Sequence, residues 1–186
     1  MKNILAVVAI AFVFIGCTAK LQTDVEPYVT MHENGKQTVK VHFVGVNDQR
    51  TTKIATTIYN KGEAYKQYPL SANVKTWYEE AFMRELKNAD MLGLKKASNI
   101  TVLVNIKSIE AKYKRYSIDK KNMTANVKLE LVIEKDGMIV TSNININQST
   151  YKPMILDAGG FESIINESMK DSVSRTVSIL IKKIKG

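Results

Sequence analysis

The stretch from Asn126 to Asn147 reads NVKLELVIEKDGMIVTSNININ, and its alternation decides the fold class. Val127, Leu129, Leu131 and Ile133 fall at every second position, with Asn126, Lys128, Glu130 and Glu134 between or beside them. Side chains of a strand alternate between its two faces, so this spacing describes a strand with one buried and one wet face. Asp136-Gly137 then supplies the left-handed backbone that a two-residue hairpin requires. Val140, Ser142, Ile144 and Ile146 form the returning strand, and Asn143, Asn145 and Asn147 give it a polar face that points to water rather than to a second sheet.

Working outward, Ile100, Val102, Val104 and Ile106 alternate, and Ile109, Ala111 and Tyr113 continue in the opposite phase. That switch near Lys107-Ser108 predicts a bulge. Earlier, Val39, Val41 and Phe43 alternate with Lys40 and His42. Val44 and Val46 extend the strand on its other face, and Asn47 to Arg50 close it as a polar turn. Ile54–Tyr59 and Ala64–Tyr68 flank Asn60-Lys61-Gly62-Glu63 and read as a hairpin.

Two helices frame these strands. Val74, Trp77, Tyr78, Ala81, Phe82, Glu85 and Leu86 recur at steps of three and four, an apolar stripe broken only by Glu85. Ser71 is the expected N-cap and Gly93 the expected stop. At this spacing Trp77 and Phe82 read as core rather than as a ligand-binding pair. A final helix from about Phe161 to Ile184 buries Phe161, Ile165, Met169, Val173, Thr176, Val177, Leu180 and Ile184, and Lys182, Lys183 and Lys185 suit its C-terminal dipole. The expectation is an α+β domain: an antiparallel sheet of about four to six strands with two amphipathic helices packed on one face.

The beginning of the chain has a different character. Lys2 precedes an unbroken apolar run, Ile4 to Ile15, of the length of a signal-peptide core and too short for a spanning helix. It ends in Phe14-Ile15-Gly16-Cys17, which resembles the bacterial lipobox, with Phe14 where Leu is usual. The resemblance implies that Phe14, Ile15 and Gly16 are read by the signal peptidase and that the Cys17 thiol takes diacylglycerol, with palmitate-type acyl chains, before the preceding bond is cut. Small Gly16 lets the backbone approach the peptidase. Residues 1–16 are then a lipoprotein signal peptide, 17–37 a lipidated N-terminus and flexible tether marked by Pro27, Asn34 and Gly35, and 38–186 a single periplasmic domain. Cys17 is the only cysteine, so no internal disulfide can form.

Twenty-seven Lys and Arg stand against 18 Asp and Glu, a formal charge of +9. No aromatic–basic RNA signature accompanies the charge, so nucleic acid is not expected, and anionic lipid, glycan or an acidic protein surface suits it better. His32 and His42 are the only histidines and have no neighbour at metal-ligand spacing. Asp157-Ala158-Gly159-Gly160 lacks the Gly-Lys-Ser/Thr ending of a phosphate loop, and no Gly-x-Ser-x-Gly elbow occurs. No catalytic residue, metal or cofactor is expected.

The order of elements is similar to that of the YajG family of bacterial lipoproteins. The resemblance runs through Val41–Arg50 with its Asp48-Gln49-Arg50 turn, a helix like Ser71–Ala89, a strand like Ile100–Ile109, the Tyr113–Tyr116 turn, a hairpin like Val127–Ile146 and the terminal helix. It implies an outer-membrane lipoprotein with a periplasmic domain, and it brings no catalytic residues. Thr18 after Cys17, where Asp commonly retains lipoproteins in the inner membrane, agrees with that address. The expected function is non-enzymatic: a lipid-anchored envelope protein that binds a protein partner or assembles into a complex, self-association included. The alternative is a carrier for an amphipathic lipid or envelope glycan, held between helices and sheet.

Overall fold

The computed structural model describes residues 19–30, 36–95, 98–115 and 122–185. Among the described residues, six strands and two helices make an α+β domain. The strands are β1 (His42–Asp48), β2 (Ile54–Asn60), β3 (Glu63–Pro69), β4 (Ile100–Arg115), β5 (Met123–Lys135) and β6 (Met138–Thr150). Helix α1 (Val74–Asn88) lies between β3 and β4, and α2 (Glu162–Lys185) follows a 3-10 turn at Ala158–Phe161. The sheet runs β3-β2-β4-β5-β6, with β1 beside β4 as well.

The β5–β6 hairpin pairs in unbroken antiparallel register from Met123↔Thr150 to Lys135↔Met138. Its turn is Asp136-Gly137, both at positive φ, and Lys61-Gly62 closes β2–β3 in the same way. Met123, Ala125, Val127, Leu129, Leu131 and Ile133 are all buried. The Asn face of β6 is wet, where Asn126 Nδ2 donates to Asn145 Oδ1 at 2.6 Å and also to Asn147. The β4 bulge falls between Ile106 and Ser108, where the phase switch placed it.

An entirely antiparallel sheet is not what forms. Both β1 and β2 run parallel to β4, β1 along Thr101–Ile106 and β2 along Ala111–Arg115. Asn47 to Arg50 therefore do not reverse the chain. Arg50 Nε and Nη2 clasp the Asp48 carboxylate at 2.8 and 2.7 Å, and Gln49 N–H donates to the Ile106 carbonyl at 3.0 Å. The segment steps across the β4 bulge and goes on in the same direction. The Arg50 guanidinium holds the Asp48 carboxyl below the ordinary carboxylate range.

Val44 and Val46 do not share the face that the alternation predicts, because Val44 is an extra residue between Phe43↔Val102 and Gly45↔Leu103. Val44 is pushed into solvent, and Val46 returns to the core opposite Val104. Gly45 makes the bulge feasible: its φ is +140°, and a Cβ there would lie 3.2 Å from Glu79 Oε1.

The N-cap of α1 lies two residues beyond Ser71. Asn73 is that cap and accepts from Thr76 N–H, while the helix ends at Asn88 with Ala89 as its C-cap, before Gly93. Phe82 stacks on Tyr78, and the buried Tyr78 hydroxyl meets Ser172 Oγ of α2 at 2.9 Å. Burial pushes the Tyr78 phenol well above its ordinary range, so it stays neutral as a core hydrogen-bonding group.

Replacing Gly45 by Ala forces a side chain into a backbone region that glycine alone adopts readily, so stability should fall by about 1–3 kcal/mol. Urea unfolding measures this; an unchanged midpoint would contradict the bulge.

Candidate functional site

Cys17, with Phe14, Ile15 and Gly16, lies outside the described residues, as does His32. Only Thr18 and Ala19 intervene between Cys17 and Lys20. At no more than roughly 3.6 Å per residue, Lys20 Cα lies within about 11 Å of Cys17 Cα whatever path the chain takes. The position of Lys20 therefore fixes which part of the body stands nearest Cys17.

Lys20 is held at the N-terminal end of α2. Its N–H donates to Asp157 Oδ2 at 3.1 Å, and its carbonyl accepts from Ala158 N–H at 3.3 Å. Its Nζ bridges Asp24 Oδ2 at 2.9 Å and Glu162 Oε1 at 2.6 Å. The Asp24 bond first, and then the Glu162 bond, raise the Lys20 pKa above the usual lysine range. The bond from Lys20 in turn lowers that of Asp24. Lysine stabilisation is complete below its ordinary pKa and fades only as pH rises past it. Aspartate stabilisation is complete above the carboxylate range and fades as pH falls through it. At neutral pH both terms act together.

From Thr23 to Tyr28 the chain is no free tether. Thr23 is fully buried and continues the sheet beside β3, its N–H donating to the Pro69 carbonyl at 3.0 Å and its carbonyl accepting from Ser71 N–H at 2.9 Å. Val25 N–H donates to Ser71 Oγ at 3.0 Å, and this is what occupies the residue expected to cap α1. Glu26 N–H donates to Asn166 Oδ1 at 2.8 Å, and its carbonyl accepts from Trp77 Nε1 at 2.7 Å. Asn166 Nδ2 donates to the Asp24 carbonyl at 3.1 Å and Arg84 to the Tyr28 carbonyl at 2.8 Å. Buried backbone polar groups must find partners, and here both helices provide them. The segment is a strap across α1 and α2.

The strap also accounts for the polar break in the α1 stripe. Glu85 is fully buried, and the Tyr28 hydroxyl donates to its Oε2 at 2.7 Å. The Tyr28 ring meets Trp77 edge-on at 5.9 Å. Trp77 is thus core, as its spacing predicts, but its indole N–H serves the strap. Of the residues that hold Lys20 and its neighbours in place, none was marked by a motif; a carboxylate on an apolar stripe was the available signal.

The opposite end of the molecule is different. Between the Tyr113 and Ile100 levels β4 spans roughly 40 Å at about 3.3 Å per residue. The Ile100 end gathers β1 and the β5–β6 turn: Ser98 Oγ donates to the Lys40 carbonyl, and Asn99 Nδ2 to Asp136 Oδ1. Around it Val39, Leu92, Leu94, Met138, Ile139 and Val140 all leave apolar side chains in solvent. Among the described residues no helix is long and apolar enough to cross a membrane.

No protein-family model and no curated protein sequence matches the chain. Solved structures do. An uncharacterised protein is 9% identical, with 87% of this chain and 98% of that one covered, at a TM-score of 0.55. A Xanthomonas campestris protein of the DUF330 family is 9% identical over 90% of this chain and 95% of its own, at 0.58. The likeness is one of fold. Rare lipoprotein B from Shewanella oneidensis, 10% identical over 69% and 95%, reaches only 0.44, a score that carries no functional weight. None of these three is named as a YajG protein.

Trp77→Phe keeps the ring and removes the N–H that holds the Glu26 carbonyl. Global stability should drop by about 1 kcal/mol, and the protection of residues 24–28 against amide exchange should fall relative to the parent chain at the same pH. Unchanged exchange would contradict the strap.

Proposed function

We propose that the chain is an envelope lipoprotein, acylated on Cys17 and held at the outer membrane, whose non-enzymatic body binds a protein partner through its membrane-distal end. The observation that carries the reading is the placement of apolar surface. Leu94, Met138 and Ile139 are among the most exposed large apolar side chains described, and they lie at the end farthest from Lys20. Apolar groups clustered in solvent mark an interaction surface more often than single ones do. A tip some tens of ångströms from the anchor suits a partner reached across the periplasm.

The likeness to the YajG family in order and spacing supports the envelope address, and Thr18 after Cys17 favours the outer membrane. The layer between helices and sheet, where a carrier would hold acyl chains, contains tightly buried Tyr78, Phe82, Phe161 and Met169. That packing favours the partner-binding reading over the carrier.

Mild cross-linking of intact envelopes should recover a stoichiometric partner with the parent chain and lose it when Leu94 and Ile139 are both changed to Asp. Cys17→Ala should leave the chain unprocessed and without acyl chains. Recovery of the same partner by the double variant, or normal processing of Cys17→Ala, would contradict the respective half of the reading.

A further inference from the structure

The corner that holds Lys20 carries its own apolar surface. The connection from β6 to the 3-10 turn is pinned along its length. Asn122 Nδ2 donates to the Lys152 carbonyl at 2.7 Å, Tyr113 Oη to the Pro153 carbonyl at 3.2 Å, and Lys66 Nζ to the Leu156 carbonyl at 3.2 Å. Ile155 is buried against Gly160, where a Cβ would come within 2.6 Å of it. Neighbours in an extended segment point to opposite sides. With Ile155 locked inward, Met154 and Leu156 are turned out, at 60% and 58% exposure. They are held in solvent by a fixed backbone rather than by want of one.

Three further features join them. Leu21, 78% exposed, is next to Lys20, and Leu156 is next to Asp157, so the bond from Lys20 N–H to Asp157 brings the two leucines to one corner. Tyr65, 54% exposed, has Lys66 Nζ 5.5 Å and the Arg115 guanidinium 5.8 Å from its ring centroid. Lys66 reaches from that ring to the Leu156 carbonyl, so aromatic, cation and leucine form one continuous rim.

We propose that this rim is a membrane-contacting face. Leu21, Met154, Leu156 and Tyr65 seat at the boundary of headgroups and acyl chains, in the leaflet that holds the Cys17 lipid, and Lys66 sits among anionic headgroups. The inference rests on the reading of Cys17 as acylated. What selects a lipid surface over a protein is the chain itself: with so few residues between Cys17 and Lys20, Lys20 at this corner stays within about 11 Å of the residue that would carry the lipid, too close for a folded domain to intervene. The chemistry agrees, since apolar side chains with Tyr and Lys at their border are those that settle at membrane interfaces.

The test uses the full mature chain, purified from membranes and reconstituted into phosphatidylcholine–phosphatidylglycerol vesicles doped with brominated lipid. Intact mass first reads the acyl chains. Leu156→Trp should then show emission shifted to shorter wavelength and quenched by the brominated lipid, beyond the contribution of Trp77 measured in the parent. Met138→Trp, at the far end of the sheet, should show neither change. Adding Leu21→Asp and Met154→Asp to the Leu156→Trp chain should reduce the quenching while acyl mass and vesicle attachment persist. An acylated, vesicle-bound chain in which Leu156→Trp is unquenched, or quenched no more than Met138→Trp, overturns the membrane face and leaves the anchor reading intact. A mass without acyl chains overturns both.

Discussion

The short distance between Cys17, the proposed site of acylation, and the first clamped residue is the constraint on which the functional reading depends. A tether of about 20 free residues would let the body sample many orientations, because its root-mean-square reach is about 5–6 Å times the square root of its length. The strap removes that freedom. Lys20 is bonded through its backbone to the Asp157 loop and through its side chain to Asp24 and Glu162, and Thr23 is built into the sheet. An acyl group on Cys17 would then orient the whole domain as well as retain it.

Such an orientation would give the two ends of the sheet different environments. β4 runs the length of the body and is flanked by β1, β2 and β5, so it acts as a rigid spacer between the Lys20 corner and the Asp136-Gly137 turn. The polar face of Asn126, Asn145 and Asn147 and the ion pair of Lys107 with Glu130 keep the flank wet. Exposed apolar side chains concentrate at the two ends. One set stands beside the proposed anchor and the other at the distal turn, which would suit a molecule that rests on a bilayer and reaches away from it.

Much of this fold was legible in the sequence. The alternation of Val127 to Ile146, the Asp136-Gly137 turn and the stripes of both helices each reflect a local rule. The direction of β1 and β2 was not legible, because alternation assigns faces but says nothing of which way a neighbouring strand runs. Val44 and Val46 misled for a related reason: an inserted residue reverses the phase, and Gly45 was its only sign. The strap escaped because its hydrogen bonds go to side chains on both helices, Trp77, Arg84 and Asn166, so it has neither the period of a strand nor that of a helix. Cys17 itself rests on motif chemistry alone, which sequence reads better than any fold does.

Together, the proposed anchor and the strap would set the body upright on a membrane. Neutron reflectometry of the acylated chain on a supported bilayer measures this directly. A clamped body with its β4 axis steeply inclined to the surface should give a protein layer approaching the length of that strand, on the order of 40–50 Å at about 3.3 Å per residue. A thin layer, of the roughly 20 Å thickness of a helix packed on a sheet, would mean that the sheet lies flat and would contradict the account.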